Sequence, residues 1–377
     1  MAVVIKGSGD IDGSAGLNLL ANGTAAATVN SSKEVDFHAG VNVGAGLSVV
    51  GVTTSQTYIP TQGTIANKNQ IINGGFQVHQ RGNTTHSYSW CGDRFQHRTG
   101  TSAVIAQSGD VPVGFSSSMT LTASSGTLNL AWNTVLEVGN SLKGTGLQNV
   151  YAANTKWTVS IWSTALPNVR VDFTDGFGPT NPQAIVAYTA MTSTGETSNG
   201  FTRYSHTFDI ASVTPVGTSE GLHIGWQLAS AAASVKFTGA QLERGEKATP
   251  FEHRSYGDEL ARCQRYHYRV TPEATGDKFG IGFTDNDDTN TYVILYFPVT
   301  LRKECTGLGQ SGTASDYDIR RDTTKECTSV PAFSSGTRDS ATIKFVCSSH
   351  GWGTAAPIWG QSGNGGTAYL EFGAEFT

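Results

Sequence analysis

The chain has 377 residues, of which 45 are Gly and only 15% are charged, and its formal charge is -5. That length admits two or three ordinary domains, and so few charges beside so much Gly, Ser and Thr favour a β-rich extracellular or virion protein over a helical cytosolic enzyme. There are 25 basic residues and no basic run longer than the one around Arg320, so the chain has no electrostatic footprint for nucleic acid. No apolar stretch approaches the roughly 20 residues that cross a bilayer, and MAVVIKGSGD lacks the apolar run of a signal peptide, so membrane insertion and export are not expected.

Residues 1–68 contain no Trp or Cys, and Phe37 and Tyr58 are their only aromatics. Side chains this small cannot close a core alone, but copies packed side by side can bury them against one another. A Gly-rich oligomeric stem is therefore expected here, built in the way homotrimeric stems are, with a flexible Gly-rich arm as the alternative. The composition changes at NQIINGGFQVHQRG, Asn69 to Gly82. Gly74 and Gly75 are expected to supply positive-φ freedom where the chain turns from stem into sandwich, sending Phe76 into a core.

Residues 69–257 hold five of the seven Trp and alternate between strand-length runs and turn signals, which predicts an antiparallel jelly-roll sandwich. In KWTVSIW, Trp157, Val159 and Ile161 share one face and Trp162 takes the other. In GLHIGWQL, Leu222, Ile224, Trp226 and Leu228 point inward and leave His223 and Gln227 opposite. Sugar rings stack their C–H faces on aromatic rings, so a glycan-contacting Trp must point away from its strand's apolar face. Trp162, His223 and Gln227 are the candidates on that criterion.

SYGDELARCQRYHYRV predicts one short helix over 258–270, connecting two β-domains. Ser255 is placed to cap it, Asp258 and Glu259 come early, and Arg262 and Arg265 come late. Residues 271–377 predict a small C-terminal sandwich, with TYVILYFPVTLR, ATIKFVCSSH and TAYLEFGAEF as its clearest strands. The fold class is all-β.

Little of the sequence suggests reaction chemistry. Five cysteines without a CxxC pair read as free, mostly buried thiols, with Cys305 and Cys327 able to pair only if their strands are neighbours. Asp93, Glu137, Asp172, Asp175, Asp209 and Glu243 are scattered and are expected at turns and on the surface. GFTDNDDTN, Gly282 to Asn290, lacks the spacing of a calcium loop and reads as a hairpin tip. No catalytic residue and no metal ligand is expected.

Three segments carry a resemblance: NQIINGGFQVHQRG, YSWCGDRFQ, and VKFTGAQLERGEKATPFEHRSYGDELARCQRYHYR. Together they resemble the carbohydrate-binding-module-like sandwich of tailed-phage fibres and other virion appendage proteins, and AYLEFGAEF resembles the last strand of the small tip domain that often follows it. The resemblance implies a non-enzymatic virion fibre, anchored to tail or capsid through residues 1–68 and presenting its sandwiches to host-surface glycan. Two alternatives stay open beside it, a capsid decoration protein that cements the shell and a glycan-cleaving tailspike. No cofactor is implied beyond a structural Ca²⁺ near Asn73 and Glu243, where related sandwiches sometimes hold one.

Overall fold

A computed structural model describes residues 17–21, 24–29, 35–37, 67–82, 84–86, 89–97, 102–127, 131–137, 156–174, 183–209, 221–365 and 367–375. The chain divides into two compact units, Met1–Ile59 and Pro60–Thr377. In the first, β1 (Leu17–Ala21), β2 (Thr24–Val29) and β3 (Val35–Phe37) form a three-stranded antiparallel sheet. The stem expectation for residues 1–68 otherwise falls outside the described residues.

The second unit begins with a sandwich. Its strands are β4 (Thr84–His86), β5 (Ser89–Gly92), β6 (Phe95–His97), β7 (Ala103–Ser108), β8 (Ser118–Ala123), β9 (Ala131–Glu137) and β10 (Lys156–Ser163). They continue with β11 (Pro167–Thr174), β12 (Gln183–Ala190), β13 (Thr192–Ser198), β14 (Phe201–Asp209), β15 (Gly221–Leu228) and β16 (Ser234–Arg244). One sheet has seven strands in the order β13-β14-β10-β16-β8-β7-β4, and the other has six in the order β12-β11-β15-β9-β6-β5. Period-2 alternation decides what lies between them. Trp157, Val159 and Ile161 come from the first sheet, and Trp132, Leu222, Ile224 and Trp226 from the second. Phe95 stacks on Trp132 at 5.4 Å, and Phe76 packs against Phe95 at 4.7 Å.

Phe76 is buried as expected, but the doubled glycine serves a different purpose from the one its sequence suggests. The left-handed residues are Asn73 (φ 60°) and Phe76 (φ 51°), not Gly74 and Gly75. Gly74 is small because a β-carbon there would sit 2.0 Å from Ala240 O. The opening segment lies directly on β16, with Ala240 N donating to Gly74 O at 2.9 Å and Gln70 N donating to Leu242 O at 2.9 Å. Close approach of two backbones, rather than turn geometry, is what requires glycine here.

Helix α1 (Tyr256–Gln264) starts where Ser255 Oγ accepts from Asp258 N, with Asp258 and Glu259 in its first turn and Arg262 in its last. It ends sooner than the predicted 258–270. His267–Val270 is instead strand β17, paired with β25 (Leu370–Gly373) through His267↔Gly373 and Val270↔Leu370. The run HYRV follows strand alternation, and this pairing captures it.

The remaining strands are β18 (Lys278–Thr284), β19 (Asn290–Tyr296), β20 (Gly309–Gln310), β21 (Tyr317–Arg320), β22 (Thr324–Gly336), β23 (Ser340–Cys347) and β24 (Pro357–Ser362). Residues 271–377, expected as a small sandwich, instead close into a barrel in the order β18-β19-β23-β22-β21-β24, flanked by the small sheet β17-β25-β20. Closure removes the free edges that an open sheet would expose. Val293, Tyr317, Ile343, Phe345 and Ile358 fill the interior.

All five cysteines are buried and free. Cys327 faces Cys347 across β22 and β23 rather than Cys305. Burial pushes the Cys91 and Cys327 thiols up to about 12.

Candidate functional site

Both sheets of the sandwich have an outer face, and the sequence-predicted candidates do not share one. Trp162 lies on β10, on the outer face of the seven-stranded sheet. Its ring is half-buried and meets Phe115 edge-on at 6.4 Å, and Phe115 in turn packs on Phe251 and His253 at 5.1 Å each. Gly239, at φ +63°, makes room for this cluster, since a β-carbon there would lie 2.8 Å from both the Phe115 and Trp162 rings. Trp162 thus faces away from the core, as its strand phase predicts, and is roofed by an aromatic neighbour.

His223 and Gln227 lie on β15, on the outer face of the six-stranded sheet. That face is assembled by register. Gly225 pairs with Asn133 on one side and Arg170 on the other. Asn133 pairs with Gln96, and Gln96 with Trp90. At the far edge the Arg170 guanidinium lies 5.8 Å from the Tyr188 ring on β12. One row therefore crosses all six strands, Trp90, Gln96, Asn133, Gly225, Arg170 and Tyr188, with an aromatic at each end and amides and a guanidinium between. At ~4.8 Å per strand spacing the row is about 24 Å long.

Two flanking rows run beside it. On one side are Val135, His223 and Asp172, and on the other Gln227 and Asn168. Asp172 Oδ2 accepts from Arg170 Nε at 2.5 Å and lies 3.2 Å from His223 Nδ1. Burial alone would raise the Asp172 carboxyl. The hydrogen bond and charge of His223, then those of Arg170, outweigh it and hold the group below the usual carboxylate range.

Asn133 stands at the centre of the face. It is fully buried, and neither its amide nitrogen nor its amide oxygen has a hydrogen-bond partner. Gly225 lets this amide lie across the neighbouring strand, because a β-carbon there would be 2.6 Å from Asn133 Oδ1 and 3.2 Å from His223 Cε1. The Gln96 carbonyl oxygen beside it is also unpartnered. Buried amides are ordinarily bonded, and an orphan at the centre of a polar face calls for a reason. Around it Trp90, Gln96, Gln227, Asn168 and Arg170 are half-buried and Tyr188 is exposed.

A cavity of about 400 Å³ adjoins Val135, lined by Asn69, Gln70, Ile72, Arg94, Arg262 and Tyr266 among others. Arg94 there is committed to structure. Its guanidinium is buried, donates to Glu375 Oε2 and Val135 O, and lies 3.5 Å from the Tyr266 ring centre.

The carboxylates expected at turns and on the surface include three that are buried in the fold. Asp93 accepts from Gln80 N and Nε2. Asp172 holds Arg170 and His223 as above. Glu243 accepts from Gln241 Nε2 and from Thr249 N at 2.8 Å each. Asn73, the other residue of the suggested Ca²⁺ position, uses its side chain to bond Val78 N, Val78 O and Asp93 O. The side chains of Glu137 and Asp175 fall outside the described residues. Asp285–Asp288 do form a hairpin tip, with Asp287 accepting from Thr289 N and Asn290 N, and Asp288 from Ser349 Oγ and Gly351 N.

No family model matches the sequence, and no curated protein matches it either. Among solved structures, the enzymatically active domain of bacteriophage CBA120 tailspike protein 4 aligns over 47% of this chain and 22% of its own, at 16% identity and a TM-score of 0.29. The C-terminal family 22 carbohydrate-binding module of Clostridium thermocellum Xyn10B aligns over 49% of this chain and all (100%) of its own, at 10% identity and a TM-score of 0.31. A CBM22-1 xylan-binding domain from Paenibacillus barcinonensis Xyn10C aligns over 50% and 100%, at 12% identity and a TM-score of 0.29. The chain thus spans about a fifth (22%) of the tailspike structure. Overlaps this loose give no purchase on function.

Proposed function

We propose that the chain is a non-catalytic glycan-binding protein of a phage fibre, and that its binding face is the outer side of the six-stranded sheet. The observation that carries this reading is the buried, unpartnered amide of Asn133, set between flanking polar side chains in a row with Trp90 at one end and Tyr188 at the other. Sugar hydroxyls donate and accept, so they match the amide that the fold leaves unbonded once the half-buried side chains of Gln96, Gln227 and Arg170 part above it, while Trp90 and Tyr188 offer rings to sugar C–H faces. A row about 24 Å long suits an extended oligosaccharide lying across the strands better than a single sugar.

A binding role rather than hydrolysis is favoured by the carboxylates. Glycoside hydrolysis needs two of them across one cleft, and Asp93, Asp172 and Glu243 are each held by donors of the chain itself. Attachment to a virion, through residues 1–68 in a homotrimer, rests on the sequence motifs and on the small side chains of that segment.

Titration calorimetry of the intact protein against a series of host-envelope and plant oligosaccharides tests the reading. Affinity is expected to rise with chain length until the row is filled, and to be lost in Asn133→Ala with the fold retained. Tight binding that ignores Asn133→Ala, or steady shortening of the polysaccharide during incubation, would overturn it.

A further inference from the structure

The outer wall of the C-terminal barrel is built with its large side chains outward. On β18, Ile281 and Phe283 face solvent at 62% and 52% exposure while Gly280 and Gly282 face the interior. On the neighbouring strands Ile294 and Tyr296 of β19 and Trp359 of β24 also stand out, at 37%, 75% and 40%. Ile281 pairs with both Ile294 and Trp359, so these residues form one surface. Ten large apolar residues are exposed among the described residues, and five of them are here.

A slip of register does not explain this arrangement. Moving a strand by one residue exchanges its faces, and the interior has no room for the exchange. A β-carbon on Gly282 would lie 1.9 Å from Tyr292 O, one on Gly280 2.4 Å from Ile294 O, and one on Gly360 2.9 Å from a Val293 methyl. The packing fixes the apolar side chains in water.

We propose that this wall docks against the same wall of a second copy of the chain, a two-fold contact between copies from different trimers rather than within one. Aromatic side chains present ~150–250 Å² each, so the five residues together expose roughly 500 Å² of apolar surface, near the upper end for a soluble monomer. A stable interface takes about 800 Å² from each partner, and half-buried Tyr292 with exposed Pro357 and the rim residues Arg320 and Lys344 extend the patch toward that size. The barrel is closed, so copies meet face to face rather than by adding strands at an edge. The five central residues are uncharged, and the basic Arg320 and Lys344 lie on opposite flanks, next to Trp359 and Tyr292. Two identical faces therefore meet without like charges at the centre, which a self-complementary contact requires.

Sedimentation of the intact protein tests this, comparing wild type with Ile281→Thr/Trp359→Thr, whose side chains leave the interior untouched. Self-association through the wall is expected to weaken by at least about tenfold, with the melting temperature unchanged at dilutions where the wild-type contact has already dissociated. A second variant, Tyr296→Cys, is expected to give a covalent dimer when oxidised with diamide. A wild type that at tens of micromolar shows no species larger than the assembly held by residues 1–68 overturns the proposal and leaves the wall to another partner. So does an unchanged association constant in the double variant together with no cross-link.

Discussion

Asn133→Leu separates a binding amide from a structural one. The exchange keeps the same branched set of four side-chain heavy atoms, so no cavity forms, although the larger methyls offset part of the gain, and it removes two buried polar atoms that have no partner. Leaving such a group unsatisfied costs about 1–3 kcal/mol. The variant is therefore expected to be more stable by that amount, less whatever an ordered water already recovers. At roughly 2–4 °C per kcal/mol for domains of this size class, scanning calorimetry should register a rise of several degrees. The same variant should bind glycan at least about tenfold more weakly, a loss typical of an interface centre. A protein stabilised by losing its site is the signature of polar groups kept for function. A melting temperature that falls, with binding intact, would show that Asn133 is bonded within the fold and would refute the reasoning.

Trp162→Ala is expected to cost about 2 kcal/mol, below the ~3–5 of a fully buried aromatic, because its ring is half-buried against Phe115. Calorimetric affinity at the six-stranded sheet should stay within twofold of wild type. His267 is buried beside Arg81 and Arg269, and burial first and those charges second hold its pKa well below the ordinary 6.5. Unfolding lets it take up a proton as pH falls below about 6.5, so the unfolded state binds more protons and stability declines with acid. His267→Gln should flatten the fall in melting temperature between about pH 7.5 and 5.5, and an unchanged slope would count against the assignment.

Much of the sandwich was legible because one residue pattern decides it. KWTVSIW and GLHIGWQL alternate, and Trp157, Val159, Ile161, Leu222, Ile224 and Trp226 are all in the core. The same alternation placed His223 and Gln227 on an outer face. It could not show that Trp162 belongs to the other sheet, because sheet membership is set by which strands pair, and those partners are distant in sequence. Asn133, Gln96 and Arg170 were missed for a related reason. AWNTVLE and NVRVD each put polar residues opposite Trp132, Val169 and Val171, a signal that was present, but only the register Gln96↔Asn133↔Gly225↔Arg170 shows that they form one row. The reading of Gly74 failed because a contact with Ala240, 166 positions along the chain, leaves no local trace.

Glu375 joins the two parts of the larger unit. Its carboxylate takes the Arg94 guanidinium with one oxygen and Arg81 Nη2, at 3.3 Å, with the other. Ala374 N also donates to Tyr266 O at 2.7 Å. Arg94 in turn holds Val135 O and lies between the rings of Tyr266 and Trp90, at 3.5 and 5.7 Å. The segment just after β25, in the small sheet beside the barrel, thus fixes one end of the proposed binding row. The pair is buried, with side-chain exposures of 2% for Arg94 and 5% for Glu375, so Glu375→Ala leaves a guanidinium without its counter-charge, a loss of about 3–5 kcal/mol. The melting temperature should drop by roughly 6–10 °C at about 2 °C per kcal/mol. Below that transition, glycan affinity should also fall, because the Arg94 guanidinium, without its counter-charge, no longer holds its place beside Trp90. Affinity and stability both unchanged in Glu375→Ala would mean that Arg94 is held by Val135 and Tyr266 alone, and that the segment after β25 does not brace the binding face.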